Sequence, residues 1–306
     1  MGGDLLVSNL PAMIAAMLKP LLKTMRPKQW VKNIFIFAAL IFDLQLFIPR
    51  SLLCTVIGFI FFCLIASSVY LLNDLVDIEK DRQHPIKCKR PLASGELSKG
   101  AAITAAVVLL LISIPGAFLL NQTFGMILAF YFALNLLYSF VLKNIPIVDV
   151  LVLASFYVIR VAAGVSLITV KRFSPWLFVC TTLVALFIGL GKRRAELVLL
   201  AEGANSHRKV FDGYTIPFLD QLIVIVSGTT IVAYSLYTFS AENLPNNHLM
   251  MLTIPFVLYG IFRYLYLINV KNEGGAPEEI ILRDWPFLVD MFLWGLTSVV
   301  VLYFGT

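Results

Sequence analysis

The sequence predicts an all-α integral membrane protein, and three observations carry that reading. The 306 residues are 59% hydrophobic and only 14% charged, where a soluble domain carries about 25% charge. The mean hydropathy is +0.88, so the chain lacks the polar residues that would cover it in water. Nine segments are long and apolar enough to cross a bilayer: 33–48, 51–72, 101–120, 124–142, 146–168, 174–190, 217–240, 248–270 and 286–304. Most approach the ~20 residues that a ~30 Å hydrocarbon layer requires; the first is short. Segments of alternating hydrophobicity, the mark of a β-barrel, are absent from the pattern.

The elements follow in order. Residues 1–32 read as an amphipathic arm on the inner membrane surface, with Lys19 and Lys23 beside apolar neighbours over 10–22, too short a stretch to span. No cleavable signal is expected, because Asp4 interrupts the start. Residues 33–306 form the bundle, and the whole chain reads as a single membrane domain with polar loops at 73–100 and 191–216. The four cysteines, Cys54, Cys63, Cys88 and Cys180, are scattered and read as small hydrophobes rather than disulfides or metal ligands.

Charge sets the expected orientation. With the N-terminus inside, only Arg50, Lys171 and Arg172 among the loop bases fall outside. The inner loops hold the rest, so the positive-inside rule puts the N-terminus and the polar loops in the cytoplasm. Topology and attraction to anionic lipid account for most of these bases. They do not account for the acids among them, since acids contribute little to topology.

The acids are densest in "NDLVDIEKD", 73–81. Asp74, Asp77 and Asp81 are spaced i, i+3 and i+7. If the preceding span continues as a helix, its ~100° per residue puts them on one face and turns Glu79 away. Three like charges on one face call for a cation. A hard divalent ion such as Mg²⁺ takes oxygen ligands and bridges one or two carboxylates to substrate phosphates. Asn73 adds a neutral oxygen or amide donor at the same helix end. Lys87 and Arg90, a few residues on, suit the phosphate charge a metal leaves uncovered.

This stretch resembles the first aspartate-rich motif of the UbiA superfamily of intramembrane prenyltransferases. The resemblance implies nine helices around a central cavity, with Mg²⁺ and a diphosphate held by Asp74, Asp77 and Asp81 at the cytoplasmic end. "RPKQWVKN" (26–33), "HPIKCKRPLASG" (84–95), "YSFVLKNIPIVDV" (138–150), "GKRRAEL" (191–197) and "PEEIILRD" (277–284) are similar to one branch, the decaprenyl-phosphate phosphoribosyltransferases. That likeness implies transfer of 5-phosphoribosyl from phosphoribosyl diphosphate to a polyprenyl phosphate, at the start of arabinose-donor supply for a cell wall. Its implied partners are the two substrates and membrane lipid in the plasma membrane, with no nucleic acid; homo-oligomerisation stays open.

Ordinary prenyltransferases of the superfamily carry a second aspartate motif where this chain reads "GKRRAEL". Only Glu196 is acidic there, beside Lys192 and Arg193, which suits a ligand with more phosphate. A prenyltransferase with a small aromatic acceptor is the alternative enzyme, and a lipid-binding or transport protein the alternative class. Asp149 and Arg160 lie eleven residues apart on one face of the fifth span, and charges at membrane depth usually face an interior cavity. Arg160 serves either the substrate or a polar group on another helix. Tyr138 and Lys143 suit either the membrane interface or sugar and phosphate contact. Lys28, Gln29 and Lys32 suit either a lipid phosphate or the leaflet surface.

Overall fold

The computed structural model describes residues 18–83, 87–170, 174–201, 209–242, 244–271 and 283–305. Every regular element among them is helical, as expected where backbone polar groups must pair within their own segment. The α-helices are α1 (Phe37–Phe42), α2 (Pro49–Val76), α3 (Ile78–Arg82), α4 (Pro91–Ser94), α5 (Lys99–Leu120), α6 (Gln122–Phe140), α7 (Val148–Ser166), α8 (Pro175–Ala201), α9 (Ile216–Ser240), α10 (Ile254–Asn269) and α11 (Trp285–Phe304). Among the described residues, eight segments are long and apolar enough to span. Side chains such as Leu111, Leu119, Phe130, Val224 and Phe292 lie exposed on them, as a lipid-facing surface requires.

The ninth expected span, 33–48, differs. It folds as a 3₁₀ helix, Pro27–Ile36, followed by the six-residue α1. Tertiary contacts explain this. Asn33 is buried and its Oδ1 accepts from Arg160 Nε of α7 at 2.7 Å. At Gly164 of α7 the helix approaches so closely that a Cβ would lie 2.0 Å from the Ile36 carbonyl oxygen. The segment ends where Gln45 Oε1 accepts from Ser51 Oγ at 2.6 Å and the Leu46 N–H donates to Tyr303 Oη at 3.0 Å.

Chain packing forms two compact units: one of Phe59–Ser139 with the described residues before Lys32, the other of Lys32–Gly58 and 140–305. The first has a core of Met25, Leu71, Ile78, Leu92, Leu97, Ala102 and Ala106. Ser98 caps α5 by accepting from the Ala101 N–H. In the second, the helices pack around Val150, Phe187, Leu219, Ile261 and Tyr264. Asp149, Arg193 and Tyr214 meet there across α7, α8 and the segment before α9. Thr215 and Asp284 cap α9 and α11. The expected surface helix over 10–22 lies largely outside the described residues, as do His84, Lys171, Arg172 and most of "PEEIILRD"; residues 18–25 are helical.

Candidate active site

Each unit carries a cluster of buried carboxylate and arginine. In the first, α2 runs past the expected end and carries Asn73 and Asp74 within its last turn. The helix does not continue through Asp81. It breaks at Asp77 (φ −94°, ψ 9°) and restarts as α3. Backbone bonds from Asp77 N to Asn73 O (3.0 Å) and from Asp81 N to Asp77 O (2.8 Å) carry the chain across the break. Asp74 and Asp81 are both buried and converge on one atom. Arg90 Nη1 lies 2.6 Å from Asp81 Oδ2 and 3.1 Å from Asp74 Oδ1. Arg26 Nη2 lies 2.5 Å from Asp74 Oδ1.

Local sequence aims both arginines. Arg90 precedes Pro91, which holds it extended (φ −70°, ψ 142°). The single turn of α4 then closes on Gly95 at φ 88°, a conformation that favours glycine. Arg26 takes a left-handed φ of 53°, which turns the chain from the helical arm into the 3₁₀ helix, and its guanidinium sits 4.9 Å over the Tyr70 ring. Asn73 Oδ1 accepts from Ser139 Oγ of α6 at 2.8 Å.

Arg26 and Arg90 together neutralise the two carboxylates, and a hard cation, which takes oxygen ligands, could bind Asp74 and Asp81 by displacing those guanidinium groups. Asp77 does not join them: it is half-buried and makes no side-chain hydrogen bond among the described residues. Among those residues no three acids, histidines or cysteines converge on one point. Glu79 is solvent-facing, as expected, and pairs with Arg82. Lys87 stands in the turn before Arg90, Lys28 and Gln29 follow Arg26, and Tyr138 is half-buried beside Ser139.

The second centre is built on Asp149, at 0% exposure. Its Oδ2 accepts from Arg193 Nε at 2.5 Å and its Oδ1 from Tyr214 Oη at 2.5 Å. Arg193, at 1% exposure, also donates to Glu196 one turn on. Tyr214 Oη accepts from the Ile147 N–H at 2.6 Å. Ile147 has φ 69° and ψ −49°, and Val148 N bonds back to Pro146 O at 2.8 Å. This is a γ-turn of the rare, strained hand, occupied by a β-branched residue that disfavours positive φ. Gly213 abuts it: a Cβ there would meet Pro146 Cγ at 2.3 Å. Burial and the hydrogen bond to Asp149 both push the Tyr214 phenol up, which keeps it a proton donor to the carboxylate.

The structure therefore joins Asp149, Arg193 and Glu196, and gives Arg160 a different set of partners. Arg160 donates to Asn33 and to the Phe156 carbonyl at 2.7 Å each, serving a polar group on a neighbouring element. Lys32, Lys143 and Lys192 are half-buried. Arg194 is taken up by Asp220 at 2.5 Å and by the Ile268 carbonyl at 3.1 Å. Sequence reasoning passed over Arg26 and Tyr214. Arg26 had a signal, since it opens the quoted "RPKQWVKN"; Tyr214 had none, because its partner lies 65 residues away.

A polytopic helical fold with a buried acid pair at the end of a long span defines a membrane-embedded protein with a polar site at a helix end, and its relatives make it a transferase. The chain belongs to the UbiA prenyltransferase family, whose signature matches residues 33–296. It is 33% identical to the decaprenyl-phosphate phosphoribosyltransferase of Mycobacterium tuberculosis over 287 residues, covering 92% of this chain and 94% of that one. The enzyme of the same name from Corynebacterium glutamicum is also 33% identical, over 92% of this chain and 86% of its own. The structure of a UbiA homolog from Archaeoglobus fulgidus bound to DMAPP and Mg²⁺ superposes with a TM-score of 0.71, at 19% identity, covering 93% and 99% of the two chains.

Proposed function

We propose that this enzyme transfers a 5-phosphoribosyl group from phosphoribosyl diphosphate to a polyprenyl phosphate, with Mg²⁺ as cofactor and its active site on the cytoplasmic face of the plasma membrane. The observation that carries the reading is the convergence of Asp74 and Asp81 on Arg90 Nη1. The choice of substrates rests on near-full-length likeness to phosphoribosyltransferases. It is supported by "GKRRAEL" standing where the family resemblance places a second acid motif in ordinary prenyltransferases; Arg193 and Arg194 there pair with Asp149 and Asp220, so Lys192 is the base of that stretch proposed for phosphate.

Asp74 and Asp81 fit Mg²⁺, which takes one or two carboxylates and leaves its other positions to water and phosphate. The ion would supply charge neutralisation to the leaving diphosphate. Arg26 and Arg90 present planar donors for phosphate oxygens at the same place, with Lys87, Lys28 and Gln29 as further contacts and Tyr138 and Asn73 for the sugar. Lys32, Lys143 and Lys192 are proposed phosphate contacts in their own unit. The C1–O bond to diphosphate breaks as a C1–O bond to the lipid phosphate forms. The acceptor is already an anion, so no strong base is needed, and orientation carries much of the acceleration. Attack opposite the leaving group inverts the anomeric carbon. In a cell wall built with arabinose, the product would enter donor synthesis.

The test supplies purified protein with labelled phosphoribosyl diphosphate and polyprenyl phosphate. Label entering the lipid fraction, lost on chelation and reduced at least ~10²-fold by Asp81→Asn, is the expected result. Well-folded protein that is inert here but joins a prenyl diphosphate to a small aromatic acceptor would overturn the reading.

A further inference from the structure

Arg26 reaches Asp74 from a backbone conformation that arginine disfavours. Its φ of 53° is left-handed, where a side chain crowds the backbone. Such a residue persists only where its surroundings over-determine it. Pro27 follows and keeps Arg26 from continuing the right-handed helix of the arm. The Arg26 carbonyl accepts from the Gln29 N–H at 2.8 Å. These local features turn the chain without fixing where the guanidinium goes. One face of α2 fixes it, carrying Ser67, Tyr70 and Asp74 at i, i+3 and i+7.

Ser67 is fully buried, about two turns before Asp74. Its Oγ accepts from Trp30 Nε1 at 3.1 Å. Its one proton is shared between the Cys63 carbonyl of its own helix, at 2.8 Å, and the Met25 carbonyl, at 3.2 Å. The hydroxyl therefore holds the chain on both sides of Arg26. The bond to Cys63 already gives it an acceptor, so its burial requires neither contact with the arm. Between Ser67 and Asp74, the Tyr70 ring lies under the Arg26 guanidinium, 4.9 Å from centroid to Cζ, within cation–π range. We infer that Ser67 and Tyr70 are positioning residues for Arg26. Ser67 pins the turn of the backbone. Tyr70 keeps the guanidinium beside the site when it leaves Asp74 for a phosphate oxygen. The inference rests on the reading of Arg26 as a phosphate contact.

The experiment measures steady-state transfer by the full chain in detergent for Ser67→Ala, Arg26→Ala and the double variant. Ser68→Ala is the control: Ser68 is equally buried and donates to the Ala106 carbonyl at 3.1 Å, away from the arm. Ser67→Ala should raise the KM for phosphoribosyl diphosphate roughly three- to tenfold, the worth of about one neutral hydrogen bond. It should leave the KM for polyprenyl phosphate unchanged and add nothing to Arg26→Ala. Ser68→Ala should leave both KM values alone. Tyr70→Phe keeps the ring and should stay near the parent, whereas Tyr70→Leu should raise the same KM. Without substrate, hydrogen exchange at the Arg26 and Gln29 amides should rise in Ser67→Ala and not in Ser68→Ala. Equal effects of the two serine variants, additive losses in the double variant, or a Tyr70→Leu enzyme equal to Tyr70→Phe would overturn the inference. An Arg26→Ala enzyme with the parent's KM would instead sink the reading of Arg26 as a phosphate contact. The exchange measurement would then still decide the pin: raised exchange supports it and unchanged exchange refutes it.

Discussion

Arg193 Nε donates to Asp149 Oδ2 at 2.5 Å, and neither side chain exceeds 1% exposure. Arg193 also donates to Glu196, and the second oxygen of Asp149 accepts from Tyr214. Both residues read from the sequence as ligand contacts. Their geometry makes them the framework of the second polar centre, because a buried ion pair holds only when its other valences are met.

Removing one partner leaves a buried charge. Asp149→Ala should cost about 3–5 kcal/mol, read from thermal unfolding in detergent. The double variant Asp149→Leu with Arg193→Met should lose less than the sum of its single losses. Additive losses would show that the two side chains do not act as a pair.

Arg90 bridges two acids through one nitrogen. Arg90→Ala should lower kcat by roughly 10²-fold, the loss seen when a positioned donor to developing charge is removed. Arg90→Lys keeps the charge but not the planar fork, so its rate should fall between the two. A lysine variant as active as the parent would mean that charge alone suffices.

Tyr214 links two backbone and side-chain groups. Tyr214→Phe strips a donor from Asp149 and an acceptor from the Ile147 N–H. Each buried group left unmatched costs about 1–3 kcal/mol. The strained turn at Ile147 should loosen as well, so hydrogen exchange at Ile147 and Val148 should rise. Unchanged protection there would detach the phenol from the turn.

Asp284 titrates below the usual carboxylate range, chiefly because Arg263 donates to it at 2.8 and 3.1 Å, against the opposing effect of burial. The folded pKa lies below the unfolded one, so the unfolded chain takes up the proton first as pH falls. The stabilisation is complete above the ordinary value of about 3.9 and is lost as pH drops through the folded value. Asp284→Asn keeps a good helix cap and should flatten this acid limb. Asp284→Ala should in addition lose about 1 kcal/mol at neutral pH by removing the cap. Melting temperatures across that range decide; a limb unchanged in the Asn variant would assign it to other acids.

Much of the fold was legible. Continuous apolar runs set seven spans within a few residues, since a bilayer rewards length and hydropathy alone; the run 174–190 instead continues as helix to Ala201 and carries Lys192, Arg193 and Glu196, which read from the sequence as a loop. The run 33–48 misled because hydropathy ignores Asn33, whose pairing with Arg160 and close packing at Gly164 hold the segment in 3₁₀ and short α form. The acid cluster was legible as Asp74 and Asp81 on a common side. The break at Asp77 was not, because periodicity assumes an unbroken helix.

The sequence by itself determined the class: an apolar chain with acids at the mouth of a span, in the pattern of its family. Only the tertiary structure decided which charges face one another. Arg26 meets Asp74 across 48 residues, Arg193 meets Asp149 across 44, and Tyr214 meets Asp149 across 65. Helical spacing relates residues three and four apart. Pairing at longer range depends on which elements pack together, and in a low-dielectric interior that choice separates a charge bound into the framework from one left for a ligand.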